Sequence, residues 1–344
     1  MTTSAVARAV SARLSARAPS RAWRRSWLGA ALAALLLPAS GCMNHYAIYP
    51  ERDPPGIVTW SEYATVGHLL MHLEWASPTG AEPFPAVIVH PPSGGTATEM
   101  RGVIRDLAQH GYVGMAVDYQ RLLDGRFQHA TFPWREPSDP VAALARARAE
   151  PRVDRERIAA LGFSQGGMFS LLMAAYAPDV KGVVAYYPVT DLRMWLDAER
   201  PWMRRMVFGM IESHFRRESG AASDAEFEEV LRLGSAMTYV DVLRAPVLLV
   251  HGSDDTTAPP EESRRLERAL RERGRDVELI VVPGAGHVFN FKQQDRQLAR
   301  NAWDATLVWL EQRLSPTRGV ANGGGRAGEA AAYSPGRRSM GGGS

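Results

Sequence analysis

An α/β fold, built on a mostly parallel sheet with helices on both faces, is what this sequence predicts, and three observations predict it. Short apolar runs alternate with helical patterns through the middle of the chain, and strands separated by helices pair in parallel. The residues Gly162-Phe163-Ser164-Gln165-Gly166 stand where the apolar run 158–163 passes straight into a helical pattern carrying Met168, Leu171, Leu172 and Ala175. Two later apolar runs, 246–250 and 277–282, end in His251-Gly252-Ser253-Asp254-Asp255 and in Pro283-Gly284-Ala285-Gly286-His287.

The elements follow in chain order. Residues 1–41 hold six arginines, Arg8, Arg13, Arg17, Arg21, Arg24 and Arg25, no acid, and an apolar run at 27–37. Those 11 residues fall short of the roughly 20 that span a bilayer, so the segment reads as an export signal. Ala39-Ser40-Gly41 before Cys42 resembles a bacterial lipobox, with alanine where leucine is commoner, and Arg24-Arg25-Ser26-Trp27-Leu28 resembles a twin-arginine signal. Cys42 is the only cysteine and has no disulfide partner within the chain. Lipid attachment at Cys42, with export to the cell envelope and a membrane anchor, is the expectation. Without the first 41 residues the chain has 34 basic against 37 acidic residues, which argues against a nucleic-acid partner.

Pro50, Pro54 and Pro55 mark a loop, and strand-like runs at 57–60 and 66–75 are expected to form an antiparallel edge. There follow strand 86–89, a helix through Met100, Val103, Ile104 and Leu107, strand 113–117, helix 140–149, strand 158–163, the helix after Ser164 and strand 182–187. A helical insertion at 191–240 carries Met194, Trp195, Trp202, Met203, Met206, Phe208 and Met210. It is expected either to cap a pocket, where methionine and tryptophan suit an adaptable acyl surface, or to pack as an ordinary helical pair. The loop 122–139, with Phe127, Phe132 and Trp134, would supply the other wall. Strands 246–250 and 277–282 and a long helix over 293–314 complete the fold. Residues 316–344, rich in Gly, Ala, Ser and Arg, read as a disordered tail. The organisation predicted is a signal at 1–41, one domain at 42–315 with its cap, and the tail.

A serine between glycines at a strand-to-helix turn can hold the strain of a tight elbow and present its hydroxyl to a cleft. The hydroxyl is a weak nucleophile until an imidazole takes its proton, and an acid beside that imidazole fixes its tautomer. Groups that end strands of an open α/β sheet gather at one edge, so Ser164, an acid from 254–255 and His287 can meet.

Residues 84–314 resemble an α/β-hydrolase of the dienelactone hydrolase and prolyl oligopeptidase type, with the chain order Ser, Asp, His. Residues 235–240 followed by 245–252 resemble the approach to the acid-bearing strand of prolyl oligopeptidase domains, and H-G-x-x-D-x-x-x-P falls on His251, Gly252, Asp255 and Pro259. The resemblance implies Ser164 as nucleophile, Asp255 and not Asp254 as acid, and His287 as base. A dienelactone hydrolase proper carries cysteine at the nucleophile. The oxyanion donors implied are the N–H of Gln165 and one from the loop after strand 86–89. That loop reads His90-Pro91-Pro92-Ser93-Gly94-Gly95, unlike the H-G loop of many relatives, and prolines have no N–H, so Ser93 or Gly94 is expected to donate. Trp195, Trp202, Met206 and Trp134 are the candidate substrate contacts.

The function so expected is an exported serine hydrolase acting on an ester or short peptide. Peptide-cutting prolyl oligopeptidase relatives carry an upstream propeller that 42–86 is too short to hold, which shifts the expectation toward an esterase. The alternative is a surface-anchored binding protein on the same fold. His90 and His251 are expected to be hydrogen-bonded structural imidazoles, Asp254 to make a turn contact, and Asp118 to fix a loop. His68 and His72 lack a third ligand, and no phosphate loop appears, so neither metal nor cofactor is expected.

Overall fold

The computed structural model describes residues 47–66, 69–80, 83–123, 126–129, 138–198 and 202–315. Cys42, His68, Phe132, Trp134, the signal-like segment and the tail lie outside them.

Nine strands form one sheet. They are β1 (Ile57–Val66), β2 (Leu69–Pro78), β3 (Phe84–His90), β4 (Val113–Leu123), β5 (Arg126–His129), β6 (Val153–Phe163), β7 (Val183–Tyr186), β8 (Val247–Gly252) and β9 (Val277–Val282). The main order is β1-β2-β4-β3-β6-β7-β8-β9, with β5 paired to the end of β4. The expected antiparallel edge is β1 with β2, and β2 also runs antiparallel to β4. From β4 through β3, β6, β7 and β8 to β9 every pairing is parallel, with Ala86 opposite Val113 and Ile158, and Ala185 opposite Leu249.

Parallel strands bury both faces, and the apolar runs here divide accordingly. Ala86, Ile88, Met115 and Ala160 face a core with α2 (Pro140–Ala149), α3 (Gln165–Tyr176) and α7 (Glu261–Arg271). Val87, Val89, Ala116 and Leu161 face a second core with α1 (Arg101–Gln109) and α8 (Arg296–Leu314). The insertion is helical, as its pattern suggests, with α4 (Leu192–Asp197), α5 (Trp202–Ser219), α6 (Asp224–Gly234) and a 3-10 turn at Ala236–Tyr239. Its Trp195, Phe208, Phe215 and Phe227 join the first core.

Three features differ from the sequence reading. The loop at 122–139 is partly strand, because β4 continues to Leu123 and turns back as β5. The C-terminal helix begins at Arg296 after 3-10 turns at Phe289–Phe291 and Gln293–Asp295. Helix α7, which no expectation above placed, is the third; it is mostly charged, and its buried residues Glu262, Ser263, Leu266 and Leu270 recur at helical spacing with two of the four polar.

Candidate active site

The turn from β6 into α3 presents Ser164. Its φ of 54° is a left-handed value that a residue with a side chain rarely adopts. A Cβ on Gly162 would lie 2.0 Å from the Gly166 oxygen, and one on Gly166 would lie 2.1 Å from the His90 oxygen and 2.5 Å from that of Pro91. Glycine at both positions therefore lets the elbow close and lets the first turn of α3 press against the end of β3. The Ser164 N–H donates to Tyr186 O at 2.8 Å, anchoring the bend to β7.

The loops after β8 and β9 are stitched together next to it. A Cβ on Gly252 would lie 2.1 Å from Ala285 O, and the N–H groups of Ser253 and Asp254 donate to Val282 O and Ala285 O, each at 3.0 Å. This crossing brings His287 over Ser164. His287 Nε2 is 2.9 Å from Ser164 Oγ, and His287 Nδ1 is 2.6 Å from Asp255 Oδ2. Asp255 Oδ1 accepts the N–H groups of Thr257 and Ala258 at 2.8 and 2.9 Å, which fixes the carboxylate plane. Burial pushes the Asp255 carboxyl up, but the facing imidazoles of His287 and His251 outweigh it and hold it well below the usual carboxylate range. Asp255 thus stays an anion able to hold the His287 Nδ1 proton, leaving Nε2 as an acceptor toward the Ser164 hydroxyl.

Among the described residues other than glycine, only Ser164, Tyr187 and Val288 have positive φ. Tyr187 stacks edge-on to His287 with centroids 4.8 Å apart, its hydroxyl donates to Asn290 Oδ1, and Val288 follows His287. All three strained residues hold the same small group of atoms, where strain is tolerated only if the surroundings over-determine it. The sequence reading missed Tyr187 and Asn290; a tyrosine ending a buried strand has no local signature of a wall behind a histidine.

The loop after β3 bends through a turn in which Gly95 N–H meets Pro92 O at 2.9 Å and Gly94 has φ 74°. Thr96 N–H goes to Glu99 at 2.7 Å and Ala97 N–H to Asp118 Oδ2 at 2.8 Å. These contacts leave Ser93 and Gly94 as loop residues whose N–H groups are not so engaged among the described residues, in a loop whose start, at His90 and Pro91, presses on Gly166. Asp118 fixes this loop, as its place at a strand end suggested, and is itself 3.1 Å from His72 Nδ1.

The remaining candidates divide. Asp254 is exposed and accepts the Ser253 hydroxyl at 2.6 Å, a turn contact. His90 is wholly buried, 2.9 Å from Ser170 Oγ and 2.8 Å from Tyr119 OH, and burial pulls it down to about 3, so it is a neutral structural imidazole. His251 is likewise buried, 2.7 Å from Ser263 Oγ. Trp195 packs against Phe208 at 4.9 Å and donates its indole N–H to Thr257 O at 2.9 Å, beside the acid loop. Met206 stands 63% exposed on α5, and no described contact brings it to Ser164. Trp202 opens α5 with its side chain outside the described set, as Trp134 is entirely. A cavity of about 550 Å³, lined by Pro85, Tyr112, Arg157 and Leu314 among others, lies at the amino ends of β3 and β4, away from Ser164. Among the described residues no cluster could hold a metal ion.

Known proteins of this architecture are similar in sequence and shape. A Yersinia pestis protein named "Putative carboxymethylenebutenolidase" is 26% identical over 245 residues, 67% of this chain and 79% of that one. An esterase from Thermogutta terrifontis superposes with a TM-score of 0.55 at 21% identity, covering 77% of this chain and 96% of that one. Acylaminoacyl peptidase from Pyrococcus horikoshii does so with a TM-score of 0.61 at 17% identity, covering 78% of this chain and 43% of that one. At those identities the two structures establish the α/β-hydrolase fold. The dienelactone hydrolase family model matches residues 72–314, from within β2 to the end of α8 and through the elbow, acid loop and histidine loop, and the chain belongs to that family of hydrolases.

Proposed function

We propose that the chain is a serine hydrolase that cleaves carboxylic esters, in preference to peptide bonds, through an acyl-enzyme on Ser164. The observation that carries this reading is the continuous line Ser164 Oγ, His287, Asp255 with contacts of 2.9 and 2.6 Å. His287 Nε2 takes the Ser164 proton as Oγ attacks the acyl carbon, and returns it to the leaving oxygen. Asp255 steadies the imidazolium and keeps its own charge. The oxyanion is met by the Gln165 N–H and by that of Ser93 or Gly94. Water then attacks the acyl-enzyme by the same proton route.

Support for esters comes from the Yersinia pestis relative's name, carboxymethylenebutenolidase, since a butenolide is a cyclic ester. The deciding experiment is fluorophosphonate labelling of the purified chain beside Ser164→Ala, followed by a p-nitrophenyl ester series and a short peptide amide series. Labelling that depends on Ser164 and faster ester turnover is expected. A folded chain that does not label would instead act as a binding protein. Export and anchoring through Cys42 belong to the same proposal, supported by the arginine-rich leader and the small residues before Cys42; Cys42→Ser should move the chain from the membrane fraction to the soluble one.

A further inference from the structure

The cap insertion leaves the sheet after β7 and returns before β8, and its two stems are clipped together. Thr190 O accepts the Met237 N–H at 3.0 Å, and the Leu192 N–H donates to Ser235 Oγ at 2.9 Å. One side chain then ties this junction to α7. Glu262, wholly buried, accepts on Oε2 the N–H of Thr190 at 2.8 Å and that of Asp191 at 2.9 Å, and the Thr190 hydroxyl lies 2.9 Å from the same oxygen. Its Oε1 is buried with no partner among the described residues.

The next residue faces the other way. Ser263, also wholly buried, lies 2.7 Å from His251 Nδ1. His251 Nε2 is 2.9 Å from Ala258 O and 3.4 Å from Asp255 Oδ2. Both neighbours of Nε2 are acceptors, so Nε2 carries the proton and Nδ1 accepts the Ser263 hydroxyl. One turn of α7 therefore grips the cap stem with Glu262 and, through Ser263 and His251, the acid Asp255. Trp195, donating to Thr257 O, brings the cap to the same loop.

We propose that Glu262 is a positioning residue that sets the cap against the acid loop, so that the cap forms a wall of the acyl site and decides which acyl chains bind. Resting on the Ser164 reaction for its kinetic consequence, the proposal stands on geometry for the latch. A buried carboxyl is costly where mere packing is needed, and this one satisfies two backbone N–H groups that would otherwise be orphaned. Burial lifts Glu262 to about 7, with Asp191 adding to the rise. Near neutrality it can take its proton on the unpartnered Oε1 while Oε2 keeps its donors. The charged and titratable groups facing it are Asp191 on the cap stem, Arg265 of α7, which pairs with Asp191 at 3.4 Å, and, through Ser263, His251 of β8. Glutamine has the shape of the protonated form, so Glu262→Gln keeps the latch and removes its charge.

The test compares wild type, Glu262→Ala and Glu262→Gln by amide exchange, fluorophosphonate labelling, and kinetics on p-nitrophenyl acetate and octanoate at pH 6 and pH 8. In Glu262→Ala, exchange across 189–197 and 235–240 should rise by about tenfold or more with β6 and β8 unchanged. KM for octanoate should rise by about tenfold while acetate turnover and labelling stay within about twofold. Glu262→Gln should restore both and abolish the rise in octanoate KM expected of wild type from pH 6 to pH 8. Unchanged stem exchange, a uniform rise across the sheet, or equal losses on both esters would overturn the proposal. If Glu262→Ala does not fold, Glu262→Gln with the pH dependence of wild type overturns it. Wild type that exchanges as expected but never labels would sink the Ser164 reading and leave the latch standing.

Discussion

Ser164, Asp255 and His287 ride on loops that close β6, β8 and β9, each loop bonded to its neighbour through backbone groups. The cap at 191–240 is held to the same edge through side chains, Glu262 on its stem and Trp195 on Thr257 O. The first region is fixed by the covalent geometry of parallel strands and by contacts that leave no room for a Cβ. The second packs Trp195, Phe208, Phe215 and Phe227 into the first core and is tied at its stems by side-chain hydrogen bonds, one of them to a titratable group. Chemistry that needs tenths of an ångström suits the part held by backbone contacts, and the proposed selectivity, which tolerates adjustment, falls on the part tied by side chains.

The difference can be tested from its strongest consequence down. Ser164→Ala should cut kcat by about 10⁵-fold or more with the fold intact, read by ester hydrolysis beside circular dichroism. Asp255→Asn should cost about 10³-fold or more, whereas Asp254→Asn, on an exposed turn residue, should stay within about twofold; reversed effects would move the acid role to Asp254. Trp195→Phe removes the indole N–H to Thr257 O together with part of the ring packed against Phe208 and Phe215, and should raise KM for long-chain esters by about three- to tenfold with kcat held, a cap effect distinct from the sheet effects.

The pH effects on stability carry opposite signs. His90, in the sheet, drops from 6.5 to about 3, so its contribution is complete above pH 6.5 and is lost as pH falls toward 3. Glu262, at the cap stem, rises from 4.5 to about 7, so its contribution is complete below pH 4.5 and is lost as pH rises to 7. With each pKa unit worth about 1.4 kcal/mol, the limits are about 5 kcal/mol for the first and about 3 kcal/mol for the second. Asp255, held low, adds acid sensitivity only below about pH 4. Urea unfolding at pH 4.5 and pH 7 should therefore show a steeper acid loss in Glu262→Gln than in wild type and a shallower one in His90→Asn. Parallel slopes in all three would contradict these assignments.

Much of the sheet was legible because burial of both faces leaves continuous apolar runs such as 158–163 and 246–250, and the turns that end them keep a local signature of Gly and Pro. For the same reason Ser164 and His287 could be read, each being the first functional group after a strand, whereas the choice of Asp255 over Asp254 came from the family resemblance. Helix α7 was passed over although Leu266 and Leu270 stand at helical spacing, because the other buried positions of its stripe, Glu262 and Ser263, are polar and read as solvent-facing. Tyr187 behind His287, and the Glu262 to Thr190 contact, escaped because nothing in their flanking residues distinguishes them.

By itself the sequence determined the parallel sheet, the strand-end placement of the three reactive groups and the existence of a helical insertion, since each follows from the periodicity of a short stretch and the stereochemistry of its turn. Tertiary structure alone decided that His287 lies 2.9 Å from Ser164, that the β3 loop turns the N–H groups of Thr96 and Ala97 away toward carboxylates, and that one turn of α7 grips both cap and acid. Those relations join residues far apart along the chain, and they exist only once packing has fixed which strand ends and helix faces meet.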